Sequence, residues 1–189
     1  MRNYEELVKN NLTMKAIPVN GNESLIQRAP HKLLGDEIAI IYQIEVGSNA
    51  RALVTSELLE TFGITTDRLI KDAEEIAPKR KPVVISSMGA MLGIPDYELP
   101  LLVATTEDMV YGAGILGYPG FFEDAARKIG GSFYILPSSI HEVLLLKDDG
   151  CDPDALNAII SSVNHDEVSP KERLGWKTLR YDVETKSLR

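Results

Sequence analysis

The sequence predicts an α+β fold, with helices packed on a mixed, mainly antiparallel sheet. Short runs rich in Ile, Val and Tyr are joined by turn residues, as in hairpins, whose strands pair antiparallel. Segments with apolar residues at helical spacing follow these runs, so the helices can cover one face of the sheet. At 189 residues the chain is long enough to bury a sizeable core.

The chain carries no low-complexity tract and no long segment rich in Pro, Gly or Ser. Residues 77–82 (APKRKP) are the nearest candidate for a linker, and they are too few to separate two domains. We therefore expect residues 1–189 to form a single domain.

The first half of the chain contains short elements of both kinds. Ser56 and Thr66 are predicted N-caps, and Gly63 and Pro78 are predicted to end the two helices that follow them. The predicted helices cover residues 3–11, 23–29, 57–62, 67–77 and 87–92. The predicted strands cover residues 14–19, 37–46, 50–54 and 82–86, and the middle two form a hairpin.

The second half predicts two successive strand–strand–helix units. The first unit comprises strands over residues 101–105 and 109–116 and a helix over 119–129. The second comprises strands over 133–136 and 140–146 and a helix after Asp152, with its apolar residues on one face. Residues 178–189 predict a last strand or a small hairpin.

Charge and cysteine content narrow the class of protein. Twenty basic and 28 acidic residues give a net charge of −8, which argues against an extensive nucleic-acid surface or an anionic membrane as partner. One cysteine, Cys151, allows no intramolecular disulfide and no Cys-rich zinc site. The N-terminus lacks the apolar segment of a signal peptide, and no apolar run approaches a membrane span. We expect a cytoplasmic protein.

The segment GAGILG, residues 112–117, matches the spacing of the dinucleotide-binding fingerprint. That motif requires its glycines in a turn between a strand and a helix, where the helix N-terminus meets the pyrophosphate. Here Tyr118 and Pro119 intervene before the helix. We therefore expect these glycines to lie in a strand packed under a helix, and no cofactor to bind.

Two charged segments resemble ion-binding loops. Residues 148–154 (DDGCDPD) fail the EF-hand spacing, and Asp152 as a helix N-cap explains them more simply. Residues 79–81 (KRK) predict an exposed loop, with contact to phosphate as the alternative. The three histidines are far apart in the sequence and form neither an HxH nor an HExxH motif, so we expect no metal site.

The stretch LPSSIHE holds Ser138, Ser139, His141 and Glu142, residue types that a hydrolase uses. In a strand, however, His141 and Glu142 point to opposite faces, and residues two apart lie about 7 Å from each other. A nucleophile elbow, GxSxG, is absent from the sequence. We predict a corner in which residues 137–139 turn and Ile140 begins a central strand.

Three segments resemble a known family: residues 25–44 with a Pro-His pair before an apolar strand, 118–150 with YILPSSIHEV, and 156–174. This is an uncharacterised bacterial family, a domain of unknown function found in Firmicutes and often near mobile elements. Its members usually carry an additional N-terminal region, which we expect this chain to lack. The resemblance implies candidate binding residues at the matching polar positions: His31, Ser138, Ser139, His141, Glu142 and Asn164.

Two hypotheses about function remain. The first is a non-enzymatic, cytoplasmic binding or regulatory module whose partner is a protein, a nucleic acid or a small ligand. The alternative is a hydrolase that uses His31 or His141 as base with Ser138 or Ser139 and a carboxylate. We favour the first because no catalytic constellation is complete. The two are separated by whether His31 and His141 meet in a concave pocket.

Overall fold

A computed structural model describes residues 3–47, 50–96, 99–166 and 168–189. The strands of these residues form two antiparallel sheets, and helices pack on both, so the predicted α+β fold class is confirmed. The sequence pattern predicted one sheet, whereas the structure has two. Which strands pair depends on contacts between distant segments, and local periodicity does not encode those contacts.

The first sheet contains four strands. They are β1 (Leu12–Pro18), β2 (His31–Leu34), β3 (Ile38–Val46) and β4 (Ala50–Leu53). Strand β3 lies at the centre, with β1 along one edge. Strands β2 and β4 share the other edge end to end, since β2 pairs with residues 38–41 and β4 with residues 43–46.

The second sheet contains six strands in the order β10-β9-β7-β8-β6-β5. They are β5 (Val83–Ser87), β6 (Leu101–Thr106), β7 (Phe133–Leu136), β8 (Val143–Lys147), β9 (Leu179–Asp182) and β10 (Ser187–Leu188). Strand β8 lies between β6 and β7. Its side chains alternate between two apolar clusters: Val143 and Leu145 pack in one, and Leu144 and Leu146 pack against the other. The prediction of a central strand here is confirmed.

The α-helices are α1 (Tyr4–Leu7), α2 (Glu23–Arg28), α3 (Ser56–Phe62), α4 (Thr66–Arg80), α5 (Met88–Leu92), α6 (Phe121–Ile129) and α7 (Pro153–Asp166). Side-chain hydroxyl groups cap the N-termini of α3, α4 and α5. The caps of α3 and α4 are Thr55 and Thr65, one residue before the predicted ones. Pro78 lies inside α4 and does not end it. Asp152 accepts the N–H of Asp154 at 3.0 Å, as predicted for an N-cap.

The two sheets share one apolar core. Inward-facing residues of β1 and β3 pack in the same buried cluster as those of β6 to β9, together with one face each of α4 and α6. Helix α7 covers the opposite face of the second sheet through Leu156 and Ile160. Helix α2 covers the opposite face of the first sheet through Leu25 and Ile26. No helix in the described ranges is both long and apolar enough to cross a membrane.

Residues Gly112–Gly117 form a buried 3₁₀ segment between the sheets, so the predicted strand over 109–116 is wrong. The first strand–strand–helix unit therefore has a 3₁₀ segment in place of its second strand, whereas the second unit is present as β7, β8 and α7. The glycines permit close backbone approach, because a Cβ at Gly114 would overlap the Met14 carbonyl oxygen. A Cβ at Gly112 would likewise overlap the carbonyl oxygen of His141.

Candidate functional site

Residues 137–142 form an irregular corner between β7 and β8, of the kind predicted for LPSSIHE. The strand that follows begins at Val143, three residues later than predicted. The backbone of the corner is bonded to a later segment of the chain instead. Ile140 N–H donates to the Glu172 carbonyl at 2.8 Å, and Gly175 N–H donates to the Pro137 carbonyl at 2.9 Å. The corner therefore fixes the position of residues 172–175.

Both serines of the corner are buried, with 6% and 5% of their surface exposed. Ser139 Oγ accepts the backbone N–H of His141 at 3.0 Å, a local bond typical of serine in turns. The Ser138 carbonyl accepts the N–H of Leu174 at 3.3 Å. Within the described ranges, no hydrogen bond joins either serine hydroxyl to a histidine ring. These contacts support a structural role for both serines.

Each nitrogen of the His141 ring faces a neighbouring group. Nδ1 accepts the backbone N–H of Tyr111 at 3.2 Å, so the neutral ring carries its proton on Nε2. Nε2 lies 3.7 Å from the Glu172 carboxylate, and the ring stacks on Tyr111 at a centroid distance of 5.5 Å. A general base needs a free nitrogen within reach of its proton donor. His141 in this arrangement positions Tyr111 instead.

The remaining predicted residues divide into two groups. Asn164 is fully buried on α7, and its Nδ2 donates to the Gly175 carbonyl at 2.7 Å, so it supports the same segment as the corner. His31 begins β2, and its Nδ1 lies 3.0 Å from the Ala29 carbonyl. Among the described residues, no hydrogen bond or ion pair joins His31 or the Glu142 carboxylate to the corner.

Behind the corner, the segment that it holds forms one wall of a cavity of about 430 Å³. We call it the Trp176 cavity. The opposite wall comes from the end of β1 and the turn between β2 and β3. The residues that give it its character are Val19, Glu23, Asp36, Glu37, Arg173 and Trp176. Its volume lies in the range of small ligand sites or of a pocket for one or two side chains.

The Trp176 cavity combines an aromatic wall with an acidic rim. Trp176 is the single tryptophan of the chain and is 44% exposed, with the Arg173 guanidinium 5.6 Å from its ring. Glu37 accepts the backbone N–H groups of Trp176 and Lys177 at 2.8 and 3.1 Å. The rim also carries Glu23 and Asp36, so carboxylates outnumber the cation in the lining.

A family model matches residues 1–183, almost the whole chain, and its description reads "Family of unknown function (DUF5688)". The chain belongs to DUF5688. Neither the curated proteins nor the solved structures contain a significant match to it.

Sequence reasoning missed the cavity of this DUF5688 protein. Its lining comes from three separate segments, residues 18–23, 36–37 and 170–176, and none of them contains a recognisable motif. The one available signal was Trp176 itself, the single tryptophan of the chain, which lies two residues after a segment that resembles the family. In the part of the chain that the structure describes, no group of three or more His, Cys, Asp or Glu residues is arranged to hold a metal ion.

Proposed function

We propose that this DUF5688 protein is a non-enzymatic binding module, and that the Trp176 cavity takes a lysine or arginine side chain of a partner protein. The observation that carries the proposal is the pairing of an exposed tryptophan with a rim of carboxylates in one concave site. An aromatic face attracts a cation, and it also packs against the apolar stem of a long basic side chain.

Charge in the cavity favours a cationic occupant. Arg173 is the one cation in the lining, and it donates to the backbone carbonyls of Val168 and His165 at 3.0 and 3.4 Å. Glu23 and Asp36 lie across the cavity, and no ion pair of the described residues neutralises either of them. A basic side chain entering here gains two carboxylates together with an aromatic wall.

The alternative, a hydrolase, needs a serine, a base, an orienting acid and oxyanion donors at one point. The contacts of His141 and Ser139 described above do not supply this arrangement, because both groups are bonded to backbone. A screen of generic ester and phosphoester substrates tests the alternative directly. Turnover that disappears in His141→Ala while the fold persists would favour it over the binding module.

The biological setting is part of the proposal. We infer one domain over residues 1–189, which is supported by the apolar core that both sheets share. A cytoplasmic location is supported by the single cysteine. An origin in Firmicutes near mobile elements is an inference from the sequence resemblance alone. The candidate residues Ser138, Ser139, His141 and Asn164 then act indirectly, since they hold the wall of the cavity.

Intrinsic fluorescence tests the proposal, because Trp176 alone reports on the cavity. Blocked tripeptides Leu-X-Leu, with X as Lys, Arg, Gln or Glu, are titrated into the protein. We expect a saturable change in emission with Lys and Arg and none with Gln or Glu. The double variant Glu23→Gln with Asp36→Asn should lose the change, because it removes two of the rim charges.

The matched control is Glu60→Gln, which removes an exposed carboxylate on α3, outside the cavity lining. This variant should bind like the unmodified protein. Equal responses to the Lys and Glu peptides would overturn the proposal. So would binding that the rim variant leaves intact.

A further inference from the structure

A cluster of positive charge extends across the first sheet from β1 to β4, outside the Trp176 cavity. It consists of Lys15 on β1, Arg51 on β4 and the ring of Tyr111, and we call it the cation cluster. Lys15 Nζ lies 3.9 Å from the Tyr111 ring centroid, and the Arg51 guanidinium lies 5.3 Å from the same centroid. Two cations therefore share one aromatic ring.

Lys15 lacks an acidic partner. Within the described residues no carboxylate approaches its ammonium group to ion-pair distance, although the side chain is half-buried. Burial lowers the pKa of Lys15, and repulsion from Arg51 lowers it further. A half-buried cation without a carboxylate partner costs free energy, so the site can gain stability from a bound anion.

The surrounding ion pairs do not supply the missing charge. Arg51 pairs with Glu45 at 3.1 Å, but Glu45 also pairs with Arg80 at 2.8 Å and with Lys81 at 3.3 Å. Lys81 pairs in addition with Asp108. Among the described residues, the cations of this network thus outnumber its two carboxylates, in a chain whose net charge is −8. Lys79 and Arg80 form the last turn of α4 and Lys81 is only 7% exposed, so the predicted exposed loop at residues 79–81 is wrong.

The backbone that presents Tyr111 is strained. Met109 and Tyr111 have φ angles of 56° and 55°, in the left-handed region that side chains rarely adopt. Their segment is held by Asp108 Oδ1, which accepts the N–H of Val110 at 3.2 Å, and by the bond from Tyr111 N–H to His141. Strain of this kind persists where the surroundings enforce it, and it clusters at ligand sites.

From this juxtaposition we propose that Lys15 and Arg51, beside Tyr111, bind a phosphate group. A tetrahedral oxyanion with two negative charges offsets the repulsion between the two side chains. The Arg51 guanidinium donates to Glu45 through Nη2 and has further N–H donors to offer the oxyanion, and the ammonium adds a point charge. The cation cluster shares no residue with the lining of the Trp176 cavity, so its test is independent of the proposed function.

The test is a titration of the ¹⁵N-labelled protein with inorganic phosphate, followed by amide NMR, with sodium chloride at matched ionic strength as reference. We expect saturable shifts at Lys15, Arg51 and Tyr111 with phosphate and none with chloride. Phosphoserine in place of inorganic phosphate tells whether the bound group is free or attached to a larger molecule. Acetate that binds as tightly as phosphate would overturn the phosphate assignment.

Substitution of each cation tests whether phosphate binds at the cation cluster. Lys15→Met and Arg51→Met keep most of the apolar stem and should each weaken phosphate binding about tenfold, as expected for one lost charged contact. Lys71→Met, at an exposed position on α4, is the matched control and should bind phosphate like the unmodified protein. Phosphate shifts that persist in both variants, or that chloride reproduces, would overturn the proposal.

Discussion

The corner at residues 137–142 and the cation cluster meet at His141, yet they differ in how far their polar groups are satisfied. In the corner, Ser139 and the His141 ring are bonded to neighbouring backbone groups. In the cation cluster, Lys15 and Arg51 both lie near the Tyr111 ring. Arg51 has one carboxylate partner, Glu45, and among the described residues Lys15 has none. In the segment whose composition looked catalytic, Ser139 Oγ and His141 Nδ1 already accept backbone N–H groups. The groups that can still bind a ligand belong to Lys15 and Arg51, which form no sequence motif.

The largest effect is expected from a substitution that disturbs the packing around both the corner and the cation cluster. Gly114→Val should lower the free energy of unfolding by more than about 3 kcal/mol, because the added side chain overlaps the Met14 carbonyl and forces β1 away from the 3₁₀ segment. Urea denaturation followed by circular dichroism measures the change. Since this segment follows Tyr111 and packs on β1, phosphate shifts should vanish as well.

Gly21→Ala is the control for the glycine variant. Gly21 has a φ of 82°, and a Cβ added there would meet no atom within 4 Å, so only backbone strain opposes the change. We expect a loss of about 1–2 kcal/mol, typical of a side chain in the left-handed region. If the Gly114→Val protein were as stable as the Gly21→Ala protein, the 3₁₀ segment would not pack closely on the backbone of β1.

The second prediction concerns the corner side. Asn164→Ala should cost about 1–3 kcal/mol, because the buried Gly175 carbonyl loses its donor. Trp176 adjoins Gly175, so its emission maximum should also move as the wall of the cavity loosens. Ser162→Ala, at an exposed position on the same helix, should change neither quantity. An unaltered emission maximum in Asn164→Ala would disconnect the corner from the cavity.

Ser139→Ala and His141→Ala test whether the corner is structural. Each should lower the free energy of unfolding by about 0.5–3 kcal/mol, since each removes bonds that the corner makes to itself or to Tyr111. His141→Ala should weaken phosphate binding too, because Tyr111 loses its anchor. Thermal denaturation and the phosphate titration measure the two effects. A His141→Ala protein with unchanged phosphate affinity would show that Tyr111 is held in place without this ring.

The smallest effect is a pH dependence. At neutral pH Lys15→Met should be more stable than the unmodified protein, because it removes a half-buried ammonium group. In the unfolded chain Lys15 keeps its proton up to its ordinary pKa of about 10.4, whereas the folded chain releases it at lower pH. The unfolded state thus binds more protons in this window, and the stability of the unmodified protein rises with pH.

The advantage of Lys15→Met should therefore shrink as the pH rises toward the ordinary lysine pKa. Urea denaturation of both proteins over this range gives the difference directly, and Lys71→Met serves as control because its position is exposed. An advantage that is constant with pH would mean that Lys15 titrates as it does in the unfolded chain.

Local patterns in the sequence were sufficient for much of the fold. Alternating and helical periodicity identified β3, β8, α4 and α7, since their apolar faces are regular. The 3₁₀ segment at Gly112–Gly117 escaped prediction because its Ile115 and Leu116 look like strand residues. Its actual conformation depends on the backbone of β1, about a hundred residues earlier in the chain.

The candidate sites were less accessible from sequence. The polar motif positions led to the corner, because a local cluster of serine and histidine is visible in a single stretch. Lys15, Arg51 and Tyr111 are ordinary surface residue types in three separate segments. Only the pairing of β1 and β4 with β3, and the strained turn before the 3₁₀ segment, bring them together.

The shared edge of β3 has a consequence for hydrogen exchange. Strands β2 and β4 each pair with their own half of that edge, so β4 can open while β2 stays bonded. Strand β4 is short and only partly buried, which places its amides among the groups that open with little free energy. Arg51 lies on this strand. An anion that bridges Arg51 to Lys15 ties β4 to β1 across β3, and slower deuterium uptake at residues 50–53 is how that connection would be seen.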